Sequence, residues 1–204
     1  ATDQGILKID TWNDYDAEYV LRFSDSDSLP SPRRISDNLV HDILSIEDKI
    51  WVATGSGMVI IDTTTNSVTD FNSDLIARVI SQDSKGNIWL GTEIDGLFKI
   101  PFDLLDDIQK GKDFELEGHV FDKSYKSGIS SSQITCVTED KNGVIWVGTN
   151  GGLNKYRSEE DNFEHYFVQD GLPSNYITGV VVDDSNGLWI SSKKGISFFD
   201  QTDK

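Results

Sequence analysis

Three histidines, His41, His119 and His165, are the side chains best suited to acid–base chemistry near neutral pH. General acid–base catalysis also needs partner groups that converge on the imidazole. The sequence shows no Ser-His-Asp order, no paired-carboxylate signature and no phosphate-binding glycine loop. His41 precedes a predicted inner strand, whereas His119 and His165 fall in predicted outer strands. We therefore predict no catalytic residue, with acid–base chemistry at His41 as the alternative.

Acidic turns are the candidates for metal binding. The segment 24–28 (SDSDS) has carboxylates two residues apart, and the segment 83–87 (DSKGN) combines Asp with Gly. A calcium loop between two helices needs ligands over 12 residues and ends in a bidentate Glu, which neither segment supplies. Cys136 is the single cysteine, which excludes an intramolecular disulfide and favours a buried, unreactive thiol. We predict turns rather than a metal site, and no cofactor.

Composition narrows the function classes. The chain has 204 residues with 35 acidic and 18 basic side chains, a formal charge of −17, and 10% aromatic residues. This charge argues against nucleic-acid binding, because no basic surplus is present to neutralise phosphates. The aromatic content argues against a disordered acidic segment. No run of apolar residues approaches the roughly 20 that a membrane-spanning helix needs.

Four tryptophans, Trp51, Trp89, Trp146 and Trp189, define an internal repeat. They are separated by 38, 57 and 43 residues, close to the ~40–45 residues of a propeller blade apart from one insertion. A β-branched stretch ending in acid precedes each Trp, and a turn lies between the two. Their common place in every repeat predicts that all four indoles are buried between neighbouring sheets.

Glycines mark the turns of each repeat. Gly86 and Gly143 lie in the hairpin before the Trp strand, where a positive φ is needed. Gly96, Gly152 and Gly195 begin the third strand. Each repeat therefore predicts a four-stranded antiparallel meander, and continuous β-branched runs such as 177–182 predict inner strands covered on both faces. Because one such sheet is not stable alone, the sequence predicts an all-β fold, a β-propeller of radially stacked blades.

The segments 134–156 (ITCVTEDKNGVIWVGTNGGLNKY) and 170–177 (DGLPSNYI) resemble the two-component regulator propeller repeat. The resemblance covers about residues 35 to 200. It implies the periplasmic sensor domain of a bacterial hybrid two-component system, in which seven-bladed propellers precede a membrane helix and a histidine kinase. It also implies an oligosaccharide ligand, a periplasmic location and no catalysis by this part of the protein.

The repeat predicts where each blade lies along the chain. Residues 1–23 would form a partial blade, 35–71 a blade, 72–121 a blade with a helical insertion at 101–118, 128–167 a blade, and 171–200 a blade without its outer strand. Asp103 is the predicted N-cap of the inserted helix. We expect an arc of a seven-bladed propeller whose exposed edges associate with the remaining blades or with a second copy. The alternative is a closed four-bladed ring in which strand 18–23 pairs with strand 195–200.

The propeller also predicts where a ligand binds. Loops that precede the inner strand, and loops that join the second strand to the third, open on the same face around the central channel. Polar residues of these loops form the predicted ligand site, which comprises Asn38, His41, Glu93, Asp95, Gln133, Asn150, Asn175 and Tyr176. Hydroxyls and amides on a rigid rim suit a sugar fragment. Two other functions stay open: a propeller lyase like the streptogramin lyases, which share an Asp-x-x-Gly-x-x-Trp repeat, and a protein-interaction scaffold.

Overall fold

The computed structural model describes residues 6–9, 17–21, 39–65, 67–72, 74–105, 108 and 128–201, the first two of these segments as backbone only. These residues form antiparallel sheets in which every strand pairs with its neighbour along the chain. The fold is an all-β propeller arc, as the repeat predicts. Among the described residues, no helix is long and apolar enough to cross a membrane.

Four sheets follow one another as blades, after a hairpin of β1 (Ile6–Ile9) and β2 (Ala17–Leu21). The first blade contains β3 (Val40–Ile46), β4 (Lys49–Thr54), β5 (Gly57–Asp62) and β6 (Val68–Asn72). The second contains β7 (Ala77–Gln82), β8 (Ile88–Thr92) and β9 (Leu97–Ile100). The third contains β10 (Ile134–Glu139), β11 (Ile145–Thr149), β12 (Gly152–Arg157) and β13 (Asn162–Tyr166). The fourth contains β14 (Ile177–Val182), β15 (Leu188–Ser192) and β16 (Gly195–Phe199).

An aspartate organises the turn before the Trp strand in three blades. In the third blade, one oxygen of Asp140 accepts hydrogen bonds from the backbone N–H groups of Asn142 (2.8 Å) and Val144 (3.0 Å), and the other accepts from Trp146 Nε1 (3.0 Å). Asp83 bonds Trp89 at 2.9 Å, and Asp183 bonds the Trp of the fourth blade. Local turn chemistry thus helps to orient the indole within its own blade.

The turns use a left-handed residue where the sequence predicts one. Gly86 has φ 86° and Gly143 has φ 78°. In the fourth blade Asn186, with φ 66°, takes this position, which is consistent with the tolerance of Asn for left-handed backbone. The carboxylates of the segment 83–87 are therefore used by a turn, whereas the segment 24–28 lies outside the described residues.

Three of the four apolar clusters of the described residues lie between blades, and the fourth is formed within the first blade by Val52, Val59 and Ile61. Trp51 packs with Ala77, Ile80 and Leu90 of the second blade, and it is fully buried. Trp89 packs in the same way on the third blade, and Trp146 on the fourth. Each of these three indoles is thus buried by the blade that follows it in the chain.

The prediction that all four indoles are buried is wrong for Trp189, which is 49% exposed. Val181, Ile196 and Phe198 lie on the same side of the fourth blade and are 65%, 69% and 48% exposed. The β-branched run of β14 is consequently covered on one face only, contrary to the prediction of two covered faces. The reason is geometrical, because the described residues contain no blade that packs on this side of the fourth sheet.

Small residues permit this close stacking. A Cβ atom at Gly148 would lie 2.5 Å from Cys136 Sγ and 2.8 Å from Ile177 Cγ2 of the following blade. A Cβ atom at Gly91 would lie 2.5 Å from Ile134 Cγ2, also in the following blade. Both distances are below any van der Waals contact, so these two positions must be glycine at the observed blade separation.

Two further predictions can be compared with the structure. The insertion begins with a 3-10 helix at Phe102–Leu104 whose N-cap is Pro101 and not Asp103, which lies in the first turn. Residues 106–107 and 109–127, including the predicted outer strand of the second blade, lie outside the described residues. In the sheets of the described residues, β2 pairs with β1 and β16 pairs with β15. The strand pairing that would close a four-bladed ring is therefore not formed between these segments.

Candidate ligand-binding site

The inner strand of each of the four blades contains a β-bulge at the same position. The register shifts between the first and third residues of β3, β7, β10 and β14. The extra residue is the second residue of each strand, namely His41, Arg78, Thr135 and Thr178. A bulge bends the strand locally and changes the direction of its side chain, which is why bulges are common beside functional sites.

The four bulged residues line one cavity of about 370 Å³. Val79, Gln133, Ile134 and Tyr176 complete its described wall. Each of the four blades therefore contributes to this cavity. It lies along the inner strands, where a propeller has its central channel. Its volume is at the lower end of the range of about 300–1,000 Å³ for small-molecule sites.

Neighbouring groups hold two of the cavity side chains. His41 Nδ1 lies 2.6 Å from the carbonyl oxygen of Ala77 in the next blade. Because a carbonyl only accepts, Nδ1 carries the proton, and a neutral imidazole therefore leaves Nε2 as an acceptor. Nε2 is buried and has no hydrogen-bond partner. Arg78 donates from Nε to Glu93 at 3.0 Å, and a second guanidinium nitrogen contacts the same carboxylate.

The loops above the cavity place one pair of residues from each blade side by side. In all four blades the backbone N–H of the residue after the second strand donates to the backbone carbonyl of the residue before the inner strand. The donor–acceptor pairs are Gly55–Leu39, Glu93–Ile76, Asn150–Gln133 and Lys193–Tyr176. The side chains differ between blades. Asn150 donates to the amide oxygen of Gln133, and Lys193 Nζ lies 3.7 Å from the centre of the Tyr176 ring.

The predicted site residues fall into three groups. His41, Gln133 and Tyr176 line the cavity. Glu93 and Asn150 each contact a residue of the cavity wall. Neither Asp95 nor Asn175 contributes to the wall; Asn175 instead accepts a hydrogen bond from Val168 N at 2.8 Å, and the N–H of Asp95 donates to Thr92. Asn38 lies outside the described residues.

Arg78, Thr135 and Thr178 line the cavity but were not among the predicted site residues. Sequence reasoning placed the site in the loops, whereas the bulge brings the second residue of the strand itself into the channel. A signal was present in the sequence, because a polar residue follows the first apolar residue of every inner strand, in Val40-His41, Ala77-Arg78, Ile134-Thr135 and Ile177-Thr178. Alternation in the strand does not predict the direction of these side chains, since the bulge interrupts it.

Cys136 follows the bulge of the third blade and packs against the core between the third and fourth blades. Burial raises the pKa of its thiol. A raised pKa favours the protonated thiol over the reactive thiolate, and the side chain is half-buried rather than fully buried as the sequence predicts. Among the described residues, no cluster of three His, Cys, Asp or Glu side chains could hold a metal ion.

Residues 70–93, 128–151 and 171–194 match the sequence family described as two component regulator propeller. The three matches contain the inner strand and Trp strand of the second, third and fourth blades. Each of these three blades therefore contains one segment that matches the regulator propeller repeat. The inner strand and Trp strand of the first blade lie outside the match, and this blade differs at the turn, where residues 47–48 replace the longer Asp turn. Trp51 Nε1 accordingly has no hydrogen-bond partner among the described residues.

Solved propellers share the fold at low sequence identity. The extracellular domain of the hybrid two component system BT4673 from B. thetaiotaomicron is similar over 99% of this chain and 28% of its own, with 18% identity and a TM-score of 0.78. The corresponding domain of BT3049 from the same organism has 18% identity and a TM-score of 0.56, covering 99% of this chain and 32% of its own. A streptogramin B lyase has 20% identity and a TM-score of 0.57, covering 81% of this chain and 52% of its own. No curated protein sequence matches the chain.

Proposed function

We propose that this chain is part of the periplasmic sensor region of a hybrid two-component system. The observation that carries the proposal is the presence of three regulator propeller repeats. It is supported by the similarity to the extracellular domain of BT4673, of which this chain spans 28%. The whole protein would transmit ligand binding as a change in the populations of its arrangements, and its kinase activity would belong to other domains.

The ligand of this sensor is an oligosaccharide, bound at the cavity on the inner strands. Hydroxyl, amide and aromatic side chains from successive blades face one another there, a set that can bind sugar hydroxyls and a sugar face. The domain binds the sugar without changing it. His41 is the one described cavity residue suited to proton transfer, and its Nδ1 is occupied by the Ala77 carbonyl. A lyase would need a second group positioned beside it.

Isothermal titration calorimetry of the 204-residue chain against a panel of oligosaccharides tests this function. We expect one class of saccharide to bind, and Tyr176→Ala to weaken that binding at least tenfold. Asn142→Ala is the matched control, because Asn142 lies in the turn at the other end of the blade. Absence of heat with every saccharide would contradict the sugar ligand, and turnover of any saccharide or lactone would contradict the binding role.

We also propose that further blades of the same protein cover the exposed face of the fourth blade. In the other three blades, the equivalent face is covered by the following blade. The isolated chain would self-associate through this face. Sedimentation velocity should show dimers that Trp189→Asp dissociates, and a monomer at all concentrations would contradict the self-association.

A further inference from the structure

We propose that the four bulged residues are the specificity-determining positions of the cavity, and that the cavity takes a neutral, hydroxyl-rich saccharide unit. This inference rests on the proposed function, because it concerns the ligand of the same sensor. It goes further by assigning the ligand contacts to strand residues instead of loop residues, and by fixing the charge of the ligand.

The first support is the repetition of one backbone irregularity. Four bulges occur at the same place in four successive blades, and all four extra residues line one cavity. A bulge disrupts the pairing of its strand locally. Its recurrence at the channel brings one polar side chain per blade to a shared space, where a ligand could contact all four blades.

The second support is the contrast between the bulged residue and its neighbours. The residue before each bulge is apolar, and three of these four, Ala77, Ile134 and Ile177, are buried in the cores between blades. The bulged residue is polar in every blade and changes in chemistry from imidazole to guanidinium to hydroxyl. The packing positions are thus constant while the channel position varies, so the channel position can be changed without disturbing the fold.

The third support is the charge of the cavity wall. Arg78 is its permanently charged side chain, and Glu93 offsets this charge through their ion pair. No carboxylate belongs to the described wall. A ligand carboxylate or sulfate would have to compete with Glu93 for the guanidinium, whereas a hydroxyl needs no charged partner.

Binding titrations of the 204-residue chain test the inference with two sets of probes. The neutral set contains cellotriose, maltotriose, xylotriose and mannotriose, and the acidic set contains trigalacturonate and a sulfated chondroitin disaccharide. The variants are Thr135→Val, which removes a buried hydroxyl that has no hydrogen-bond partner among the described residues, and Thr178→Val, which also removes a hydrogen bond of 2.9 Å to Ser191 Oγ. Both keep the shape of the side chain. Thr138→Val is the matched control, because Thr138 lies on the same strand, pairs with Trp146 and does not line the cavity. Urea unfolding of each variant verifies that it is folded.

We expect a neutral trisaccharide to bind, and each of the two cavity variants to weaken it about tenfold, the effect of one hydrogen bond of about 1.4 kcal/mol. The Thr138→Val variant should bind as the unsubstituted chain does. Thr135→Arg introduces an unpaired cation and should shift the preference toward trigalacturonate, a gain that a purely structural role would not produce.

The outcomes separate the inference from the proposed function. Unchanged binding in both cavity variants, or binding of acidic saccharides alone by the unsubstituted chain, would overturn the inference and leave a saccharide sensor. Failure of every saccharide to bind would overturn both. Equal losses in the cavity variants and in Thr138→Val would assign the effect to blade packing and would also overturn the inference.

Discussion

The third and fourth blades carry the same indole in the same local setting, yet they bury it differently. Asp140 bonds Trp146 and Asp183 bonds Trp189, at 3.0 and 3.2 Å. Trp146 is fully buried, whereas Trp189 is 49% exposed. In the second and third blades the turn aspartate and the following blade both act on the indole, whereas in the fourth blade only the aspartate does. The turn orients the indole, and only the next blade buries it.

The surroundings of Trp146 show what the fourth blade lacks. Trp146 contacts Phe199 and Tyr166 at ring-centroid distances of 5.7 Å, and it packs with Ile177 and Leu188 of the following blade. Trp189 has a ring contact with Phe198 of its own sheet, at 4.9 Å. Burial between blades therefore supplies most of the apolar area that stabilises each sheet, because a single sheet has two apolar faces and cannot cover both.

Replacing the two indoles should give the largest difference. We expect Trp146→Ala to lower the free energy of unfolding by about 3–5 kcal/mol, the cost of a large cavity in a core. Trp189→Ala should cost about 1 kcal/mol or less, because half of the side chain already faces solvent. Urea denaturation followed by far-UV circular dichroism measures both. Both are measured at chain concentrations where the protein is monomeric, and equal losses there would contradict the idea that the following blade supplies the burial of Trp146.

The aspartates of the two turns give the next largest difference. Asp140→Ala removes an acceptor from two backbone N–H groups and from the Trp146 indole in a buried setting, and we expect a loss of about 2–3 kcal/mol. Asp183→Ala should cost less, since water can replace the carboxylate at the exposed indole. The same denaturation experiment compares them. A larger loss for Asp183→Ala would refute the idea that burial strengthens this contact.

The residue that follows Val147 or Ile190 in the Trp strand, Gly148 in the third blade and Ser191 in the fourth, allows a comparison of how closely the two blades are packed. Gly148→Ala places a methyl group against Cys136 and Ile177, and we expect a loss of about 1–3 kcal/mol from overpacking. Ser191 occupies the equivalent position in the fourth blade and already carries a Cβ atom. Ser191→Ala should cost about 1 kcal/mol, the value of its hydrogen bonds. A neutral Gly148→Ala would mean that the blades are less closely packed than the structure shows.

The smallest expected effect is a pH dependence confined to the fourth blade. Hydrogen bonds from the backbone N–H groups of Gly187 and Ser185 and from Trp189, together with nearby Lys141, lower the pKa of Asp183. A lowered pKa in the folded state means that this carboxylate stabilises the fold above the ordinary Asp range near 3.9. The contribution is lost as the pH falls through the lowered value.

The fluorescence difference between the unsubstituted chain and Trp189→Phe should report this titration. We expect its acid midpoint to lie below the ordinary Asp pKa. A midpoint at or above that value would show that the Asp183–Trp189 hydrogen bond is not formed in solution.

Repetition explains why so much of the fold could be predicted. The Trp and Gly positions recur in each blade, and tight hairpins leave few alternatives to a meander, so the strands from Val40 to Phe199 follow from the sequence. Burial of Trp189 was mispredicted because the repeat describes one blade and does not say which blade follows it. The bulged residues Arg78, Thr135 and Thr178 were missed for a different reason. A bulge is an irregularity of backbone pairing, and the alternation of side chains does not reveal it.

Hydrogen exchange at the tryptophan indole N–H groups, followed by NMR, tests most directly whether each blade is stabilised by the one that follows it. At chain concentrations where sedimentation shows the monomer, we predict that the indoles of Trp51, Trp89 and Trp146 exchange only through unfolding, and that Trp189 exchanges orders of magnitude faster despite its hydrogen bond to Asp183. Rapid exchange at Trp146, or equal protection at all four indoles, would contradict the account.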